Sequence, residues 1–300
     1  MNSSTNIQKW YEMEITARQD FLPHLTGLLL SQKIQSWAEE EENGQVKLMV
    51  YIPHMEGIEE NVRRLEELLS VDKTRVVTRE IQDQDWAHSW QQFFPVTRIG
   101  RGIVIKPPWK DHELPPEPGD IVIEIEPRMA FGSGYHPTTA GTLELVEEYM
   151  RPGCRLLDMG CGSGILSIVA SRMGAGEILM ADYDPICIRE SRENYTTARK
   201  KYHDMTGQVE YIVSDGFEKI RGSFDIILVN VHTDFILSVI HRIGESLSPG
   251  GLFITGSIGT DRVEEMTRRG EDLGMKLLKT SLREGWMGMV FESGLGNPGN

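Results

Sequence analysis

Residues 155–168 read Arg155-Leu156-Leu157-Asp158-Met159-Gly160-Cys161-Gly162-Ser163-Gly164-Ile165-Leu166-Ser167-Ile168, and this run decides the fold of the larger part of the chain. A short strand, Arg155–Leu157, meets a glycine-rich turn, and a helix opens at Ile165 and is expected to reach Met173. Glycine lets a backbone turn tightly and lets a ligand approach without a Cβ in the way. The helix start behind the turn presents N–H groups with no helical partner, and these favour an anionic group. A dinucleotide fingerprint needs glycine or alanine five positions after Gly160, where Ile165 stands, and GxxxxGK[ST] is absent. The spacing is GxGxG, over Gly160, Gly162 and Gly164, with Asp158 just ahead of it. That pattern suits a cofactor with an amino-acid end rather than a pyrophosphate. Backbone N–H groups would receive a carboxylate, while Asp158 either orders the loop or neighbours an ammonium group.

Downstream, Ile178–Ala181 reads as the next strand and ends at Asp182, 22 residues after Gly160. A carboxylate at that place can accept both hydroxyls of a ribose. Asp184, just before Pro185, reads as a helix cap. Helix over 185–198, strands over 209–213 and 225–229, helix over 235–247, strand over 252–255 and helix over 262–273 follow in turn. A hairpin of residues 276–282 and 288–291 closes the series. Strand and helix alternating in this way predict a parallel α/β sheet.

Upstream, Pro107–Gly119 holds five prolines, and proline removes a donor and biases its predecessor toward extended structure. The stretch therefore reads as a linker over 107–119, between an N-terminal domain (1–106) and a C-terminal one (120–300). The N-terminal part shows strands over 10–16, 46–52 and 75–81 and helices over 21–33 and 58–69, the order of a ferredoxin-like α+β sandwich. The acidic run Glu39–Glu42 reads as a solvated loop.

The 300 residues carry 31 basic and 45 acidic side chains, a net charge of −14. This balance argues against direct nucleic-acid binding, which needs a basic face, and suits a basic partner. The apolar content is that of an ordinary globular protein, so disorder is excluded. Cys154, Cys161 and Cys187 form no CxxC pair, which fits a reducing compartment. No signal-peptide pattern opens the chain, and no apolar run is long enough for a bilayer. A cytoplasmic protein without membrane attachment is the expectation. The eight histidines are scattered, with neither HExxH nor paired Cys/His spacing, so no metal site is expected.

The glycine loop with Asp182 resembles class I S-adenosylmethionine-dependent methyltransferases. Met129-Ala130-Phe131-Gly132-Ser133-Gly134-Tyr135-His136-Pro137-Thr138-Thr139, and the continuation Leu157–Ile168, are similar to the segments that mark the methyltransferases of large-subunit ribosomal protein eleven, the PrmA type. Asp85-Trp86-Ala87-His88-Ser89-Trp90, Phe94-Pro95, Ile103–Trp109 and Glu284-Gly285-Trp286 extend the resemblance over nearly the whole chain. It implies a doubly wound, mostly parallel seven-stranded Rossmann-like sheet and S-adenosylmethionine as cofactor. It also implies cofactor contacts at Thr139, Gly160, Asp182 and Asn230, the last placing a side-chain amide beside the reacting centre. The implied activity is N-methylation of lysine or N-terminal amines of a basic ribosomal protein. The first domain has no catalytic motif and reads as the substrate-recognition module. A methyltransferase of the same fold with another protein or a small molecule as acceptor is the alternative, and a cofactor-binding ribosome-assembly factor without essential turnover is the third reading.

Two positions depart from the family pattern: His232 stands where an apolar residue is usual, and Arg128 where glycine is usual. Both bear on the acceptor rather than the cofactor. His232 reads as a surface residue at a helix start or as an acceptor-site base. His136 reads as a loop-ordering residue or a substrate contact, and Trp86 and Trp90 as packing residues.

Overall fold

The computed structural model describes residues 9–31, 34, 37–42, 44–53, 58–69, 74–82, 95–110, 117–126, 132 and 134–294. The chain forms two compact units, Met1–Phe94 and Pro95–Asn300.

In the first unit, β1 (Lys9–Arg18), α1 (Leu22–Ser31), β2 (Trp37–Glu42), β3 (Gln45–Pro53), α2 (Ile58–Leu69) and β4 (Arg75–Gln82) follow in order. The strands pair antiparallel as β2-β3-β1-β4, the ferredoxin-like arrangement expected. Alternate residues of β1 and β3 (Met13, Ile15, Ala17; Val46, Leu48, Val50) are buried with Leu25 and Leu29 of α1 and Val62, Leu65 and Leu69 of α2. The period of two in the strands and of three to four in the helices makes one apolar face on each. Glu39–Glu42 corrects the loop expectation: it belongs to the edge strand β2, with Glu40 in register opposite Lys47. An edge strand tolerates charge, and charge there discourages further pairing.

The second unit opens with β5 (Thr97–Ile99), β6 (Ile103–Lys106) and β7 (Ile121–Glu124), a three-stranded sheet in which β6 and β7 run parallel. The proline-rich residues 107–119 therefore connect two paired strands of one sheet. The boundary between the units falls earlier, at residue 94/95, which corrects the linker expectation.

The main sheet comprises β8 (Arg155–Met159), β9 (Glu177–Asp182), β10 (Gln208–Val213), β11 (Phe224–Val229), β12 (Leu247–Gly259), β13 (Met275–Arg283) and β14 (Trp286–Ser293). Its order is β10-β9-β8-β11-β12-β14-β13, parallel except where β14 joins β12 and β13. The helices are α3 (Pro137–Tyr149), α4 (Ile165–Arg172), α5 (Pro185–Lys201), α6 (Thr233–Ser246) and α7 (Val263–Asp272). Alternation along the central strands divides them between two cores. Leu156, Ile226, Leu228, Leu252 and Ile254 pack with α3, α4 and α5, and Leu157, Ile227, Val229 and Phe253 pack with α6 and α7. Strands buried on both faces read as continuous apolar runs, which is why Phe224–Val229 carries only one charge. This doubly wound sheet is the expected fold.

Chain order reverses at β8, which has β9 on one side and β11 on the other. In open α/β sheets such a switch point leaves a crevice beyond the carboxyl ends of the strands. The turn after β8, Asp182 at the end of β9 and Asn230 just after β11 all stand there.

Candidate functional site

The turn after β8 is shaped by glycines in the left-handed region: φ is 69° at Gly160, 51° at Gly162 and 79° at Gly164. Gly160 has a second reason, since a Cβ there would run into Cγ1 of Val231, the second residue past β11. The turn is pinned to β9, because Gly160 N–H and Cys161 N–H donate to the Ala181 carbonyl at 2.8 and 3.1 Å. Gly162 N–H donates to Asp182 Oδ2 at 3.1 Å, and Asp184 N–H to Asp182 Oδ1 at 3.0 Å. Both carboxylate oxygens of Asp182 thus lean on the backbone around the crevice. Burial raises the Asp182 pKa, against the lowering by those N–H groups. Asp184 caps α5 as expected, its Oδ1 accepting from Ile186 N–H at 2.8 Å.

Asp158 is fully buried at the end of β8. Ser167 Oγ of α4 donates to its Oδ2 at 2.6 Å, tying the strand to the helix across the glycine turn. Its Oδ1 is buried with no hydrogen-bond partner. Burial pushes this carboxyl up to about 6, from an ordinary 3.8. Between roughly pH 4 and 6 the folded chain holds a proton that the unfolded chain has released. Stability from this group is therefore complete below pH 4 and is lost as pH rises through 6. The buried carboxylate then costs on the order of 3 kcal/mol. Without cofactor, Asp158→Asn should melt above the wild type at pH 7.5, and the gap should close toward pH 4. Thermal denaturation across that range checks the sign; a gap independent of pH contradicts it.

Asn230 follows β11 and is buried. Its Nδ2 donates to Thr139 Oγ1 in the first turn of α3 at 3.3 Å, and its Oδ1 is buried without a partner. Two residues that lie 91 apart in sequence therefore meet at the crevice. α3 is started by His136, whose Nδ1 accepts from Thr138 N–H at 3.3 Å and lies 2.8 Å from Thr138 Oγ1. A ring nitrogen that accepts carries no proton, so the neutral ring holds its proton on Nε2. Burial lowers the His136 pKa to about 4, which keeps the ring neutral near pH 7. The His136 ring lies 6.1 Å from that of Trp286. His136 thus orders its loop by capping α3. The other end of the helix is held by Glu147, which accepts from the N–H groups of Arg101 and Gly102, both at 2.7 Å.

His232 is exposed at the N-cap of α6 and makes no side-chain cap bond. Arg128, Trp86 and Trp90 lie outside the described residues. Cys161 and Cys154 are buried and Cys187 half-buried, all three unpaired. Burial pushes the Cys187 thiol up to about 12 and the Cys161 thiol well above its ordinary value, so neither is a ready nucleophile. Among the described residues no three His, Cys, Asp or Glu side chains are grouped to hold a metal, and no helix is long and apolar enough to cross a membrane.

One crevice residue escaped the sequence reading. Asp215 follows β10 and is exposed, and its predecessor Ser214 donates its N–H to the Asp182 carbonyl at 2.9 Å. An acidic residue just past a strand, the signal used for Asp182, recurs there one strand further along.

The model of the family described as ribosomal protein L11 methyltransferase (PrmA) matches residues 24–293. The chain belongs to that family. Among similar proteins, the ribosomal protein L11 methyltransferase of Caldanaerobacter subterraneus subsp. tengcongensis is 30% identical, over 95% of this chain and 99% of its own. That of Desulforapulum autotrophicum is 38% identical, over 72% of this chain and 69% of its own. The crystal structure of a ribosomal protein L11 methylase from Lactobacillus delbrueckii subsp. bulgaricus shares the fold with a TM-score of 0.59 at 23% identity, covering 65% of this chain and 97% of that one.

This PrmA-family chain is an S-adenosylmethionine-dependent methyltransferase, and its crevice fits such a cofactor. The turn after β8 passes through three left-handed glycines at the switch point. Asp158 Oδ1 and Asn230 Oδ1 are buried acceptors without donors, a costly state unless a ligand supplies them.

Proposed function

We propose that this chain methylates amines of ribosomal protein L11, the lysine side chains or the N-terminus, in the cytoplasm where ribosomal proteins are made. The observation that carries the reading is the meeting of Asn230 and Thr139 beside the glycine turn, with the Asn230 carbonyl oxygen buried and unsatisfied. S-adenosylmethionine supplies, when bound, a methyl group on an already activated sulfonium. Asp182 would hold the ribose hydroxyls, and the amino-acid end would lie against the glycine turn, where the N–H groups of Gly160, Gly162 and Gly164 already serve Ala181, Asp182 and Cys161. Asp158 would face the ammonium, which restores a positive neighbour to its buried carboxyl. Asp215 stands one strand beyond Asp182, on the side where the base would extend.

The protein's remaining task is alignment, because the reaction needs the acceptor nitrogen in line with the breaking bond. Asn230 Oδ1 would accept an N–H of the acceptor amine and so aim its lone pair. A lysine, with an ordinary pKa of about 10.4, has to lose its proton first, and a dry acceptor site favours the neutral amine. No residue is needed as an essential base, the proton passing to water. The net charge of −14 suits a basic acceptor by attraction and steering. The first unit carries no catalytic constellation among its described residues and is read as the recognition module.

The acceptor is tested with isotopically labelled S-adenosylmethionine and a panel holding undermodified ribosomal protein L11, other basic ribosomal proteins and small amines. Label on L11 alone, mapped to lysine or N-terminal nitrogen, is the expected result. Label on another member and none on L11 overturns the acceptor and brings His232 and Arg128 forward as the residues that changed it.

A further inference from the structure

Between Thr255 and Ile258, β12 carries one residue more than β14 does between Met289 and Met287. Such a bulge breaks the ladder locally, bends the strand and re-aims side chains. It involves Gly256 and Ser257, neither of which the glycine-turn reading touches.

Gly256 lies hard against the start of α3. A Cβ there would run into the Thr138 carbonyl oxygen and the Thr142 hydroxyl, and would lie 2.7 Å from the Thr142 nitrogen. Ser257 engages the loop after β11 instead. Its Oγ donates to the Val231 carbonyl at 2.6 Å and lies 3.2 Å from Thr255 Oγ1. Ser257 N–H donates to Thr255 Oγ1 at 3.3 Å. The loop answers in turn: Thr233 Oγ1 donates to the Ser257 carbonyl at 2.8 Å and accepts from Gly259 N–H at 3.0 Å. Thr255 and Ser257 are both buried, so water is a poor substitute for these partners.

The bulge therefore meets both sides of one contact. Gly256 seats the turn of α3 that carries Thr139, and Ser257 holds the carbonyl of the residue that follows Asn230. Val231 is fixed from the other side as well, since its Cγ1 occupies the space that only a glycine at 160 leaves open. Fixing the Val231 carbonyl and side chain fixes the peptide planes after Asn230, and with them the direction of the Asn230 side chain.

We propose that Ser257 is a positioning residue for methyl transfer, acting through the Val231 carbonyl to hold the Asn230 amide against Thr139 and its free oxygen toward the acceptor nitrogen. The inference rests on the reading of Asn230 as the group that aims the acceptor amine. Ser257 touches neither substrate in this account, so its removal loosens alignment and leaves binding intact.

The test is steady-state methylation of L11 by Ser257→Ala beside a structural control. Ser171→Ala removes another buried hydroxyl, bonded to Tyr195 OH at 2.8 Å between α4 and α5, away from Asn230. The expected result for Ser257→Ala is a kcat about tenfold lower, the fall expected of a slight misalignment, with the acceptor KM and cofactor Kd within about twofold. Ser171→Ala should keep the wild-type kcat. Thr233→Val, which cuts the reciprocal bond from the loop side, should lower kcat in the same selective way and stands in for Ser257→Ala if that variant does not fold. Unchanged kcat in Ser257→Ala, a loss no greater than that of Ser171→Ala, or a change confined to KM overturns the positioning role. A wild-type protein that binds cofactor and methylates no L11 overturns the underlying reading instead, and the two failures are distinct.

Discussion

Asp182→Ala should lower the affinity for S-adenosylmethionine by about 10²–10³-fold. The carboxylate stands at the end of β9 and is buried, accepting from Gly162 N–H and Asp184 N–H. A hydrogen bond to a charged group is worth about 1.5–3 kcal/mol, so two ribose hydroxyls at the low end of that range account for roughly 3–4 kcal/mol, and each 1.4 kcal/mol is tenfold. The substitution also frees the two N–H groups that shape the turn, which adds to the loss. Calorimetric titration reads it directly. Asp182→Asn keeps an acceptor for one N–H and should fall between alanine and wild type. An alanine variant that binds within a few fold of wild type would remove Asp182 from the cofactor site.

Asn230→Ala should act on the other parameter. The side chain gives one neutral hydrogen bond to Thr139 at 3.3 Å, so its loss should weaken cofactor binding by only about fivefold, the equivalent of ~1 kcal/mol. Its larger effect should be on kcat, about 10²-fold, the cost of a misplacement of ~1 Å at the reacting atoms. Initial rates at saturating cofactor and acceptor separate the two. A variant with full kcat and raised KM would make Asn230 a binding residue only. It would also withdraw the basis for the role given to Ser257.

The crevice was legible because its parts are local. Asp158 and the glycines belong to one turn, and Asp182 and Asn230 each come directly after an apolar run that reads as a strand. What joins them is not local. The Asn230–Thr139 contact spans 91 residues; family resemblance pointed to the two residues separately, and nothing in the sequence showed that they meet. Helix α3 stayed unread because its first turns hold Thr138, Thr139, Gly141 and Thr142, poor helix formers individually; burial and the His136 cap hold it instead. The charge of Glu39–Glu42 concealed an edge strand, since a strand with one free edge needs no apolar pattern. Prolines at 107–119 concealed a parallel pairing, because β6 and β7 meet only across that stretch. The bulge at Gly256–Ser257 exists only in the register with β14, some thirty residues on, and no reading of residues 255–258 alone reveals it. Asp158 was left between two roles, and both are compatible with what is seen: one oxygen orders α4 through Ser167 and the other awaits a donor.

In the proposed function the crevice at the ends of β8, β9 and β11 binds S-adenosylmethionine and passes its methyl group to ribosomal protein L11. Intact-mass analysis of undermodified L11, incubated with cofactor and either the wild-type chain or Asp182→Ala, tests it most directly. Mass gains in steps of one methyl are expected with the wild type, and little or none with the variant, in short incubations at a cofactor concentration near the wild-type Kd. Unmodified L11 in the presence of wild-type protein shown by calorimetry to hold cofactor, or equal methylation by Asp182→Ala, would contradict it.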